Sequence, residues 1–177
     1  MRLIFAALLA FAVAAPISAN AQDAKKAEGE PKIDVTRSGD WEVACQDIEQ
    51  NGQKAKTCEM RQILVQKETQ KEWLRIAVSF NPGAPKPVLR IFTPLGVLLP
   101  PGMEIKIDTA KPLRVQYAVC LSRPPRCLVA GPMEDKFVNQ LKAGNGGTIT
   151  FVLPNNKKVA APFSLKGFTK AYNSLPR

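Results

Sequence analysis

Residues 73–80 read WLRIAVSF and residues 81–85 read NPGAP. The first is a short apolar run with the two-residue alternation of a β-strand. The second ends it, because proline cannot donate to a strand ladder and Gly83 admits a positive φ. The same unit recurs on both sides. Candidate strands are 41–45, 57–65, 73–80, 88–92, 104–107, 113–121, 127–130, 148–153 and 158–161, with Pro100, Pro101 and Gly102 before the fifth and Pro154, Asn155 and Asn156 between the last two. Many short strands punctuated by Pro, Gly and Asn predict a mainly β fold, a single antiparallel β-sandwich or flattened barrel.

Two segments depart from this pattern. Residues 134–143 place Phe137, Val138 and Leu141 on one helical face, with Glu134 and Asp135 at the start and Lys142 and Gly144 at the end. These charges suit the helix dipole and Gly144 suits a left-handed C-terminal cap, so a short helix is expected. Residues 164–174 put Leu165, Phe168, Ala171 and Tyr172 on one side, with Leu175 just beyond and Ser164 offered as N-cap. Gly167 weakens that helix by about 1 kcal/mol relative to alanine.

The chain opens with Arg2, an uncharged apolar run from Leu3 to Ala15, and the small-residue triplet Ala19, Asn20, Ala21. That order is expected of a signal peptide occupying residues 1–21 and cleaved after Ala21. The run is broken by Pro16 and falls short of the ~20 residues a membrane-spanning helix needs. The first cysteine is Cys45, too far from the cleavage point to accept a lipid anchor. Residues 22–37, rich in Lys, Glu, Asp and Ala, read as a flexible tether, and 38–177 as the single domain. Arg2 is the only charged residue among the first 21, so the mature chain of 156 residues carries 24 basic and 15 acidic side chains, a formal charge of +9. Without histidine this charge is constant across neutral pH. It favours anionic partners.

Four cysteines behind a signal peptide argue for disulfides. Three pairings are open to them. Short loops close most easily, which favours Cys45 with Cys58 and Cys120 with Cys127. A metal site from the same sulfurs lacks both a C-x-x-C pair and a histidine, so no metal is expected.

Catalysis by a Ser-His or Cys-His pair is excluded, since no histidine exists to act as base. Asp40, Glu42, Asp47, Glu49, Glu59, Glu104 and Asp108 could supply a carboxylate pair, but most fall at turns or on polar strand faces, and no catalytic residue is assigned. The glycine-rich segment 144–147 follows a helix instead of opening one, the wrong order for a phosphate cradle, so no cofactor is expected. Basic residues are spread from Lys54 to Lys170, and aromatics make up only 7% of the chain, so a stacking nucleic-acid surface is not expected. The most distinctive candidate for interaction is the loop CLSRPPRC at 120–127. Two prolines and a disulfide would stiffen it and present Arg123 and Arg126 at little ordering cost.

Gly39, Asp40, Trp41, Glu42, Val43, Ala44 and Cys45, the stretch from Pro94 to Gly102, Ile107 with Asp108, the pair Cys120 and Cys127 after Tyr117, and Ser164 to Phe168 together resemble the invasion-associated locus B family of bacterial envelope proteins. The likeness spans roughly residues 38–175. One departure is Arg126, where the family often has glycine before the last cysteine. The resemblance implies a periplasmic or outer-membrane-associated β protein, linked in some pathogens to host-cell entry, and no catalytic residues. The expected function is therefore a non-catalytic envelope protein that binds another protein, an anionic glycan or a lipid surface. A periplasmic hydrolase or lyase built on two carboxylates, and a structural factor in envelope stress, are the competing readings.

Overall fold

The computed structural model describes residues 33–50 and 52–177; the segment read as a signal peptide and most of the tether lie outside them. Along the chain come β1 (Ile33–Ser38), β2 (Trp41–Gln50), β3 (Gln53–Val65), β4 (Glu72–Phe80), β5 (Pro87–Thr93), β6 (Met103–Ile107), β7 (Leu113–Val115), β8 (Val119–Ser122), β9 (Pro125–Pro132), α1 (Asp135–Ala143), β10 (Gly146–Val152), β11 (Lys158–Ser164) and α2 (Phe168–Asn173). They form two antiparallel sheets, ordered β1-β2-β3-β4-β5-β9-β8 and β11-β10-β6-β7. Neither sheet closes on itself, so the fold is a β-sandwich and not a barrel.

Alternation along each strand makes the core. Leu74, Ile76 and Val78 of β4 and Leu89 and Ile91 of β5 face Ile105, Ile107, Ile149 and Phe151 of the smaller sheet in one continuous cluster. Phe137, Val138 and Leu141 of α1 and Phe168, Ala171 and Tyr172 of α2 complete it. The two disulfides, Cys45–Cys58 and Cys120–Cys127, each join residues directly opposite each other on neighbouring antiparallel strands.

Four local expectations change. β1 begins at Ile33, so a strand occupies the last residues of the stretch read as tether; five of its six residues are exposed, Ser38 is buried, and Ile33 and Val35 are its only apolar members. The single candidate strand 113–121 is two strands, β7 and β8, on different sheets, because the chain crosses between layers at Gln116–Ala118. Ser164 is not a helix cap. It ends β11, and α2 starts four residues later behind Gly167, whose φ is 89°. Gly144 is extended (φ −80°) instead of left-handed, and it is small for a different reason: a β-carbon there would meet Ile107 Cγ2 at 2.8 Å and Leu165 Cδ1 at 2.9 Å.

The sandwich has two seams, where the edges of one sheet approach the other. At the first, the β1–β2 turn packs on the segment between β11 and α2. Trp41 Nε1 donates to Ser164 O at 2.9 Å, the buried Gln62 side chain donates to Asp40 O and Ser164 O and accepts from Ser164 N, and Asp40 N donates to Lys166 O. The backbones approach so closely that a β-carbon on Gly167 would lie 1.9 Å from Ser38 O. Trp41 meets Phe168 edge to face, centroids 5.1 Å apart. At the second seam β7 and the end of β9 face each other across an open groove.

Candidate functional site

The inward face of the seven-stranded sheet is mainly apolar, and alternation puts the arginines of its central strands on the outward face. Because β3, β4, β5 and β9 pair in register, Arg61 lies beside Ala77, Ala77 beside Arg90 and Arg90 beside Ala130. One rung along, Ile63 lies beside Arg75, Arg75 beside Phe92 and Phe92 beside Leu128. Four arginines, Arg61, Arg75, Arg90 and Arg126, thus share one face of the central strands. Their stems cover the strand beneath them: Ala77 is fully buried although it points away from the core.

The charges are not equally engaged. Arg61 Nε is 2.6 Å from Glu42 Oε1, with Arg37 3.8 Å from the same carboxylate, and Arg75 holds Glu72 at 2.6 Å. Arg90 donates only to neutral oxygens, Ser79 Oγ at 2.6 Å and Asn81 Oδ1 at 3.1 Å. Arg126 lies over the Phe92 ring, 4.9 Å from its centroid. Neither Arg90 nor Arg126 has a carboxylate partner among the described residues. Arg61, Arg90, Ser79, Thr57 and Glu59 line a hollow of about 330 Å3 on this face. Exposed aliphatic side chains flank it: Ile33 and Val35 on β1 at one edge, Val119 and Leu121 on β8 at the other.

The β8–β9 hairpin carries the two arginines singled out from the sequence, and the structure separates them. Arg123 stands exposed in the two-residue turn with Pro124, while Arg126 is half-buried within β9, opposite Leu121. The expectation of two arginines presented together at a loop tip is corrected to one at the tip and one on the sheet face. Arg61, Arg75 and Arg90 were scattered in the sequence; only strand register, which parity within each run hints at, gathers them.

The carboxylates do not assemble into a comparable constellation. Asp40 and Glu42 line one cleft of about 700 Å3 beside the closed seam, but Arg61 and Arg37 occupy the Glu42 carboxylate. Asp108, itself exposed, faces the glycine-rich loop, accepting from Asn145 N at 3.0 Å and Gly146 N at 3.1 Å. The amides that a phosphate would need are taken by the protein's own carboxylate. Tyr117 and Tyr172 have hydroxyl pKa values raised above the ordinary tyrosine range, each by burial, with the Thr93 hydroxyl partly offsetting the first and Arg177 the second.

The sequence model of the invasion associated locus B (IalB) proteins matches residues 41–176. The chain belongs to the IalB family. Its structure is similar to the crystal structure of invasion associated protein B from Bartonella henselae, with a TM-score of 0.65 and 21% identity over 78% of this chain and 92% of that one. At that identity the likeness carries the fold. No curated protein matches the chain. The segments that resembled the IalB family acquire physical roles: Gly39–Trp41 and Ser164–Phe168 are the two halves of the closed seam, and Asp108 ties the end of β6 to the loop before β10. In this IalB protein the arginine at 126 needs no glycine-like backbone, since it continues a regular strand.

Proposed function

We propose that this IalB protein is exported by its N-terminal signal peptide to the bacterial periplasm or outer membrane. There it acts as a non-catalytic binding protein whose outward sheet face engages an anionic surface, a lipid headgroup layer or an acidic glycan. The observation that carries this reading is the pair Arg90 and Arg126, two guanidinium groups without carboxylate partners, on a face bordered by exposed aliphatic side chains. The mature charge of +9 would draw the protein to such a surface. The hydrolase reading has less support, because Glu42, which lines a cleft together with Asp40, is already held by arginine. No described helix is long and apolar enough to cross a membrane, which agrees with attachment from one side.

The test is co-sedimentation with anionic and neutral vesicles, and retention on an acidic polysaccharide, at low and high salt. Binding to the anionic supports is expected to fall with salt. The double variant Arg90→Gln/Arg126→Gln should weaken it ~30-fold, from about 1 kcal/mol per interfacial charge. Retention that ignores both salt and the substitutions would overturn the reading.

A further inference from the structure

The second seam leaves backbone groups unpaired beside an apolar wall. Met133 N donates to Pro87 O, so in the alternating pattern of an antiparallel pair Gly131 and Val129 turn their backbone groups to β5. Ala130, between them, turns its N–H and C=O the other way. β8 covers that side of β9 only as far as Leu128, whose carbonyl accepts from Ala118 N. Beyond it no described strand lies on that side of Ala130, whose register partner Arg90 is on β5. On the opposite wall β7 is the last strand of its sheet, and it brings Leu113, 41% exposed, and Val115 to the same groove.

The groove measures about 640 Å3 and reaches the core, with Leu89, Val129, Met133 and Phe137 in its lining. Its charged members are Lys111, Lys136 and Glu134. Glu134 is neutralised by Lys86 at 2.6 Å, while the two lysines have no ion-pair partner among the described residues. The rim is therefore positive and the interior apolar.

We propose that this groove is a strand-addition site: an extended peptide segment of a partner protein, alternating aliphatic with acidic residues, pairs with the free edge of β9 at Ala130. Its aliphatic side chains enter between Leu113 and Phe137, and its carboxylates meet Lys111 and Lys136. Backbone pairing supplies affinity and the apolar pockets supply selection, as in other sheet-edge recognition. A second copy of the chain is a poorer occupant, because two mature chains, each of formal charge +9, would bring like-charged rims together.

The experiment measures binding of a fluorescent peptide alternating valine and glutamate to the purified protein, beside a lysine-for-glutamate counterpart and a proline-interrupted one. The acidic peptide should bind at least ~10-fold more tightly than either control. Ala130→Pro removes the outward N–H without touching the β5 ladder and should abolish binding, whereas Ala130→Ser keeps the N–H and should bind as the parent does. Leu113→Glu, on the opposite wall and away from the β9 ladder, should weaken binding at least ~10-fold. Equal binding of the acidic and basic peptides would overturn the proposal, as would equal losses in Ala130→Pro and Ala130→Ser. A concentration-dependent dimer in sedimentation with no peptide bound would also overturn it, by making a second copy the occupant.

Discussion

The two seams of this sandwich solve the same problem in opposite ways. Where β2 and β3 meet β11, the sheets are locked by hydrogen bonds through Gln62 and Trp41, by the edge-to-face pair of Trp41 with Phe168, and by two glycine backbones in contact. Where β9 meets β7, no side-chain ion pair among the described residues bridges the gap, and aliphatic surface stays open to solvent. The difference teaches where energy is stored and where binding is available. Polar groups that satisfy one another hold a fold but offer little to a ligand, while an unpaired strand edge is free to accept one.

The comparison can be broken by substitution. Trp41→Ala should cost ~3–5 kcal/mol, since it leaves a cavity in the closed seam and takes from the Ser164 carbonyl one of its two side-chain donors, Gln62 remaining; urea unfolding measures it. A loss under 1 kcal/mol would mean that the seam is not the lock described. Gln62→Ala should cost about 1–3 kcal/mol by stranding the Asp40 and Ser164 backbone groups it satisfies. It should leave vesicle and peptide binding unchanged, which separates the structural seam from the binding faces.

The smallest effect lies near the open seam, on the segment crossing between the sheets. Burial raises the Tyr117 pKa, so the folded state favours the neutral hydroxyl. Its contribution is complete below the ordinary tyrosine value of ~10 and is lost as pH rises through the raised one. Melting temperature should thus fall on the alkaline side, and Tyr117→Phe should make that fall shallower. Tyr172, also raised by burial, keeps part of it in the variant. A slope identical in parent and variant would remove Tyr117 from the account.

Much of this was legible in the residues. Period-two runs closed by Pro, Gly and Asn marked the β class, and most of the strand centres, because alternation and turn chemistry are local. α1 was legible too, from the spacing of Phe137, Val138 and Leu141. β1 was not. Apart from Ser38 it is exposed, its only apolar residues are Ile33 and Val35, and it exists because its backbone can pair with β2, an event that its own short composition does not announce. The division of residues 113–121 between two sheets was equally hidden, since both halves read as strand.

For the candidate sites the balance shifts. Sequence by itself determined the positive charge, the lack of a histidine base, and four cysteines with short separations, all of which are counts or neighbours along the chain. Only tertiary structure decided that Arg61, Arg75, Arg90 and Arg126 share one face, that Asp108 caps the glycine-rich loop, and that the side of Ala130 facing away from β5 is left open beside an apolar groove. The physical reason is common to all three. Register and sheet order bring together residues far apart in sequence, and those are set by how two apolar faces pack, not by the residues that end up beside the ligand.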